Sequence, residues 1–107
     1  METVYNKLVR DKIPAIIQAQ GGTAVVRTVE SREEYARLLR EKLREETEEF
    51  IAAGTLDELV DVGEVMHALL SEMGVSVEAF QKARTEKLAE KGGFEKRLFL
   101  QRVEKPG

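Results

Sequence analysis

Residues 43–61, Leu43-Arg44-Glu45-Glu46-Thr47-Glu48-Glu49-Phe50-Ile51-Ala52-Ala53-Gly54-Thr55-Leu56-Asp57-Glu58-Leu59-Val60-Asp61, decide how this chain folds. Gly54 is a helix stop, because only glycine enters the left-handed region that ends a helix without a Cβ penalty. Thr55-Leu56-Asp57-Glu58 directly after it has the spacing of a capping box, which starts a helix. Upstream, Tyr35, Leu38, Leu39, Leu43 and Phe50 recur at helical spacing back to a second capping box, Ser31-Arg32-Glu33-Glu34. Downstream, Leu59, Val62, Val65, Met66, Leu69 and Leu70 continue to a stop at Gly74. Two long helices joined this closely form an antiparallel αα-hairpin.

The rest of the chain adds shorter elements. Ser76 caps a last helix carrying Val77, Phe80, Ala83 and Leu88, which runs to about Lys91 and breaks at Gly92-Gly93. Asp11 to Gln20 reads as a short helix with Ile13, Ile16 and Ile17 on one face, Pro14 in its first turn and Gly21-Gly22 as its end. Thr23 to Val29 and Arg97 to Val103 are β-rich and lack a helical period, so they read as two short strands that pair. The expectation is one all-α domain over residues 1–107. It is a compact antiparallel bundle of three to four helices with a minor two-stranded β element at Thr23–Val29 and Arg97–Val103.

Composition narrows the function classes. Apolar residues make up 42% and charged residues 35% of the chain, a globular balance that is not that of a disordered segment. With no cysteine and one histidine, a thiolate or histidine-rich metal site is excluded, and a bound metal must be held by oxygen, which suits Mg²⁺, Mn²⁺ or Ca²⁺. A net charge of −3 argues against coating a nucleic-acid polymer. No apolar run reaches the roughly 20 residues that span a bilayer. The start Met1-Glu2-Thr3-Val4-Tyr5 has no signal-peptide pattern, so a cytoplasmic location and no membrane partner are expected.

Glu45, Glu46, Glu48, Glu49, Asp57, Glu58 and Asp61 crowd the hairpin with negative charge. With Leu39, Leu43 and Phe50 facing inward, about 100° per residue puts Glu46 close to that face and Glu49 on its flank. Glu45 and Glu48 point away. Glu46 and Glu49 are an i, i+3 pair, as are Glu58 and Asp61 on the next helix. Glu49 lies five residues before Gly54 and Glu58 four after it, so the pairs stand at similar heights above the turn. Four carboxylates facing one small volume repel unless a cation joins them, and Mg²⁺ with few protein carboxylates and substrate phosphates suits such a place. The structural alternative is a solvated acidic face, with Glu58 serving only as the capping-box glutamate and Glu45 paired with Lys42 or Arg44.

The acidic pairs, Glu45-Glu46-Thr47-Glu48-Glu49 followed by Glu58-Leu59-Val60-Asp61, resemble the ExxE…ExxD magnesium motif of the MazG-like, all-α nucleoside triphosphate pyrophosphohydrolases. The opening Tyr5-Asn6-Lys7-Leu8-Val9-Arg10-Asp11-Lys12-Ile13-Pro14 and the ending Lys91-Gly92-Gly93-Phe94-Glu95-Lys96-Arg97 resemble its phosphoribosyl-ATP pyrophosphohydrolase-like branch. The resemblance spans nearly the whole chain. It implies hydrolysis between the α- and β-phosphates of a nucleotide to monophosphate and pyrophosphate, with Mg²⁺ held at Glu46, Glu49, Glu58 and Asp61. Glu45 is an alternative to Glu46 as ligand, although helical phase favours Glu46. Only eight residues separate Glu49 from Glu58, fewer than in many relatives, which leaves less room for base-reading loops.

Phosphates held in this way need cations. Lys7, Arg10 and Lys12 cluster near the start; Arg84, Lys87 and Lys91 share a face of the last helix, and Arg97 follows Gly92-Gly93. Glu49 or Glu46 is the candidate general base. His67 could touch a base or ribose, Asn6 could read substrate or cap a turn, and the Met66, Leu69, Leu70 and Met73 stripe reads as core or dimer contact. The expected reaction is housecleaning of non-standard nucleotides with Mg²⁺ or Mn²⁺ by a homodimer. The alternatives are the histidine-pathway reaction on phosphoribosyl-ATP and a non-catalytic helical interaction module.

Overall fold

Three hydroxyl side chains start the three long helices. Ser31 Oγ accepts the Glu34 N–H at 3.2 Å, Thr55 Oγ1 accepts that of Glu58 at 3.4 Å, and Ser76 Oγ accepts that of Ala79 at 3.1 Å. Each cap fills one of the donors a helix start leaves open, worth about 1 kcal/mol. The computed structural model describes all 107 residues and places four helices in chain order: α1 (Ile13–Ala19), α2 (Arg32–Ala53), α3 (Leu56–Glu72) and α4 (Val77–Lys91). The structure is all-α, as the periodicity predicts.

The turn between α2 and α3 depends on Gly54. Its φ is 66°, and its N–H donates to the Phe50 carbonyl at 2.7 Å. Any other residue would carry a Cβ into the left-handed region there. The chain reverses within Gly54 and Thr55, and α3 packs back along α2.

The chain forms two compact units, Met1–Val75 and Ser76–Gly107. In the first, the α2–α3 pair buries Leu39 and Val65, which are 4% and 7% exposed. Burying a side chain of this size stabilises by roughly 1.5–3 kcal/mol. The one other buried side chain is charged: Glu46, at 8% exposure. α1 carries Pro14 in its first turn, and the Ile13 N–H donates to the Arg10 carbonyl at 3.0 Å. In the second unit α4 has no buried residue, and it ends at Gly92.

The expected β element does not form. Thr23–Val29 and Arg97–Val103 carry no strand. Val25 and Val26 are 93% and 62% exposed, and Leu98, Phe99, Leu100 and Val103 are exposed as well. β-branched composition favours a strand only where a pleated face is half buried, and neither segment has such a face to cover. Thr23–Val29 is tied to α2 by side chains instead: Arg27 donates to both Glu34 oxygens at 3.0 and 2.8 Å. That fork holds Glu34's carboxyl below the usual carboxylate range.

Candidate metal centre

The centre begins with Glu46, about two turns before the end of α2. The apolar period of that helix turns Leu39 inward, and seven residues later turns Glu46 the same way. Its Oε1 lies 3.2 Å from Lys42 Nζ. Its Oε2 is buried and accepts no hydrogen bond. An orphaned buried carboxylate oxygen is costly, and in native proteins it marks a place where an ion or water belongs.

α3 supplies the rest. One oxygen from each of Glu46, Glu58 and Asp61 forms a group lying within 4.8 Å of one another. Glu58 and Asp61 are half-buried. Thr55 caps α3 through the Glu58 N–H, while the Glu58 carboxylate joins Glu46 and Asp61. The capping role and the clustering role of Glu58 therefore use different atoms. Three anionic oxygens with no nitrogen or sulfur donor fit a hard divalent cation.

Glu49 stands outside that triangle. The expected four-carboxylate set is three in the structure, because Glu49 lies on the flank of α2 and is exposed. It still faces the group. Its carboxyl is pushed above the ordinary carboxylate range, first by the close approach and charge of the Glu46 carboxylate, with Glu45 and Glu58 adding to it. Glu45 is turned toward cations: Lys7 Nζ reaches its Oε1 at 2.6 Å and Lys42 Nζ its Oε2 at 3.4 Å. Partial burial pushes the Glu45 carboxyl up, but the two lysines outweigh it and hold it below its ordinary range. The register read from helical phase, Glu46 inward and Glu45 outward, is the one observed.

Two of the predicted cations reach these acids. Arg10 Nη2 donates to Asp61 Oδ1 at 2.7 Å, and Lys7 pairs with Glu45. The Lys7 hydrogen bond to Glu45 raises its own pKa above the usual lysine value, and its Nζ lies 5.6 Å from the Tyr5 ring centre. Asn6 has a φ of 48°, in the left-handed region that Asn tolerates, directly before a bend at Lys7. Lys12 is exposed at the start of α1 without an ion pair. Arg84 and Lys87 are exposed on α4, Lys91 ends that helix, and Arg97 lies beyond it at φ 60°, all four in the second unit. His67 is exposed on α3. A small cavity of about 220 Å³ opens beside Glu45, walled by Tyr5, Leu8 and Leu38 with Lys7 and Lys42.

Lys42 is the residue the sequence reading undervalued. It is expected as a partner of Glu45, and the structure gives it Glu46 as well. Its position four residues before Glu46 is the available signal, since i, i+4 residues are neighbours on a helix.

A protein of Mycolicibacterium smegmatis, described only as uncharacterized, is 42% identical over 72 residues, covering 67% of this chain and 72% of that one. This chain belongs to the same family. No family model and no solved structure matches it.

Proposed function

We propose that this protein is a metal-dependent nucleotide pyrophosphohydrolase acting in the cytoplasm, which cleaves between the α- and β-phosphates to give a monophosphate and pyrophosphate. The observation that carries this reading is the buried Glu46 carboxylate, which has one oxygen without a partner and groups with the carboxylates of Glu58 and Asp61. Those three residues would hold Mg²⁺ or Mn²⁺. A bound divalent cation supplies charge neutralisation and Lewis acidity toward phosphate oxygens.

The chain's own groups do the remainder. Glu49 is exposed, adjoins Glu46 and has a raised pKa, so it is the group placed to accept a proton from the attacking water. Lys7 and Arg10 are already drawn to the carboxylates and would exchange those partners for substrate phosphates. The resemblance of the terminal motifs and the acidic pairs to the MazG-like pyrophosphohydrolases supports the same reaction, with non-standard nucleoside triphosphates as the substrate class. The exposed apolar residues of the hairpin, including Leu56, Leu59 and Val60, support a homodimer.

The test is the position of cleavage. ³¹P NMR of a nucleoside triphosphate incubated with the protein and Mg²⁺ is expected to show monophosphate and pyrophosphate. Formation of diphosphate and orthophosphate would refute α–β cleavage. No turnover of any triphosphate would favour the non-catalytic helical module.

A further inference from the structure

Lys42 is a covered lysine on the wall of the carboxylate group. Its side chain is 16% exposed and that of Glu46 is 10% exposed, whereas the other lysine of the group, Lys7, is 38% exposed. A surface i, i+4 pair contributes little, but this pair is largely removed from water. Its geometry is one-sided. Nζ meets Oε1 of Glu46 at 3.2 Å and Oε2 of Glu45 at 3.4 Å, and Oε2 of Glu46 is left without a donor. An ammonium is a point donor that holds one oxygen, whereas a guanidinium fork binds both oxygens of a carboxylate. Lys42 thus fixes Glu46 by one oxygen and leaves the other for a ligand. Its second contact, to Glu45, anchors the ammonium from the outer side of α2.

Resting on the metal-centre reading above, we propose that Lys42 is the positioning residue of this centre, fixing Glu46 through Oε1 so that Oε2 is presented toward the cation. Groups that orient a metal ligand in this way set affinity although they never touch the metal.

Titration calorimetry with Mn²⁺ alone, on protein kept below its melting temperature, tests this. Lys42→Met is expected to weaken Mn²⁺ binding by ~10-fold or more. Lys42→Arg keeps the charge and the fold, and is expected to weaken binding as well, because its fork occupies Glu46 Oε2. A purely structural lysine would lower the melting temperature of Lys42→Met and leave its Mn²⁺ affinity unchanged. A lysine acting only as a counter-charge would give tighter binding in Lys42→Met and wild-type binding in Lys42→Arg. Either pattern overturns the proposal while leaving the metal centre standing. Absence of Mn²⁺ binding by the wild type overturns the metal centre and this inference together.

Discussion

Glu46 and Glu45 are neighbours in sequence with opposite fates. Glu46 is buried with one oxygen unpartnered, and Glu45 is engaged by two lysines. Glu46→Gln is therefore expected to weaken Mn²⁺ binding severely in calorimetry, and Glu45→Gln to leave it nearly intact. Equal losses would mean that the helical phase does not decide the ligand. Glu49 makes a different prediction. Its carboxyl is pushed up by Glu46 first, with Glu45 and Glu58 adding to it, so its charged form is disfavoured in the folded protein. Without metal, Glu49→Gln should melt at a higher temperature than wild type when both are scanned in EDTA at pH 7.5, even as it loses turnover. At this scale the sequence was informative about direction and not about reach. A period of 3.6 residues told Glu46 from Glu45, because it follows from backbone geometry alone. It did not reveal that Glu49 falls outside the triangle, or that Lys42 bridges both acids. Those depend on rotamers and on the relative rotation of two packed helices.

Helix ends follow from local chemistry, so they were legible at the scale of elements. Serine or threonine at the starts of α2, α3 and α4 and glycine at the α2 stop act within a few residues of their own backbone. Gly54→Ala tests the hairpin. An added Cβ meets no atom within 4 Å, so the cost comes from φ alone. It should be roughly 1–2 kcal/mol, read as a lower melting temperature with α-helical circular dichroism retained. The misread element is Thr23–Val29. A strand needs a partner and a face to bury, and these are non-local properties that composition does not report. The Arg27–Glu34 fork that replaces them gives a pH signature. Glu34's folded pKa lies below its ordinary 4.5, so the pair stabilises above that pH, and the contribution is lost as pH falls through the folded value. Arg27→Ala should melt below wild type at pH 7, with the difference closing as the pH drops under 4.5. A difference independent of pH would assign the loss to packing of the arginine stem.

For the molecule as a whole, the buried apolar core is small. Leu39 and Val65 are enclosed, while Ile51, Leu56, Leu59 and Val60 near the turn are between 46% and 77% exposed. A domain of this length often completes its apolar burial with a partner, and a second copy presenting the same hairpin is the occupant proposed here. Sedimentation equilibrium should give a dimer mass for wild type and a monomer mass for Leu59→Glu. A monomeric wild type would remove the homodimer from the account. The central claim is the chemistry, and it is tested most directly by pyrophosphate release from a panel of standard and modified nucleoside triphosphates. Wild type would be compared with a Glu46→Gln, Glu49→Gln double variant, each with Mg²⁺ and with EDTA. Release by wild type with Mg²⁺, abolished both by EDTA and in the folded double variant, is the predicted result. Release that persists in EDTA or in the double variant would contradict it.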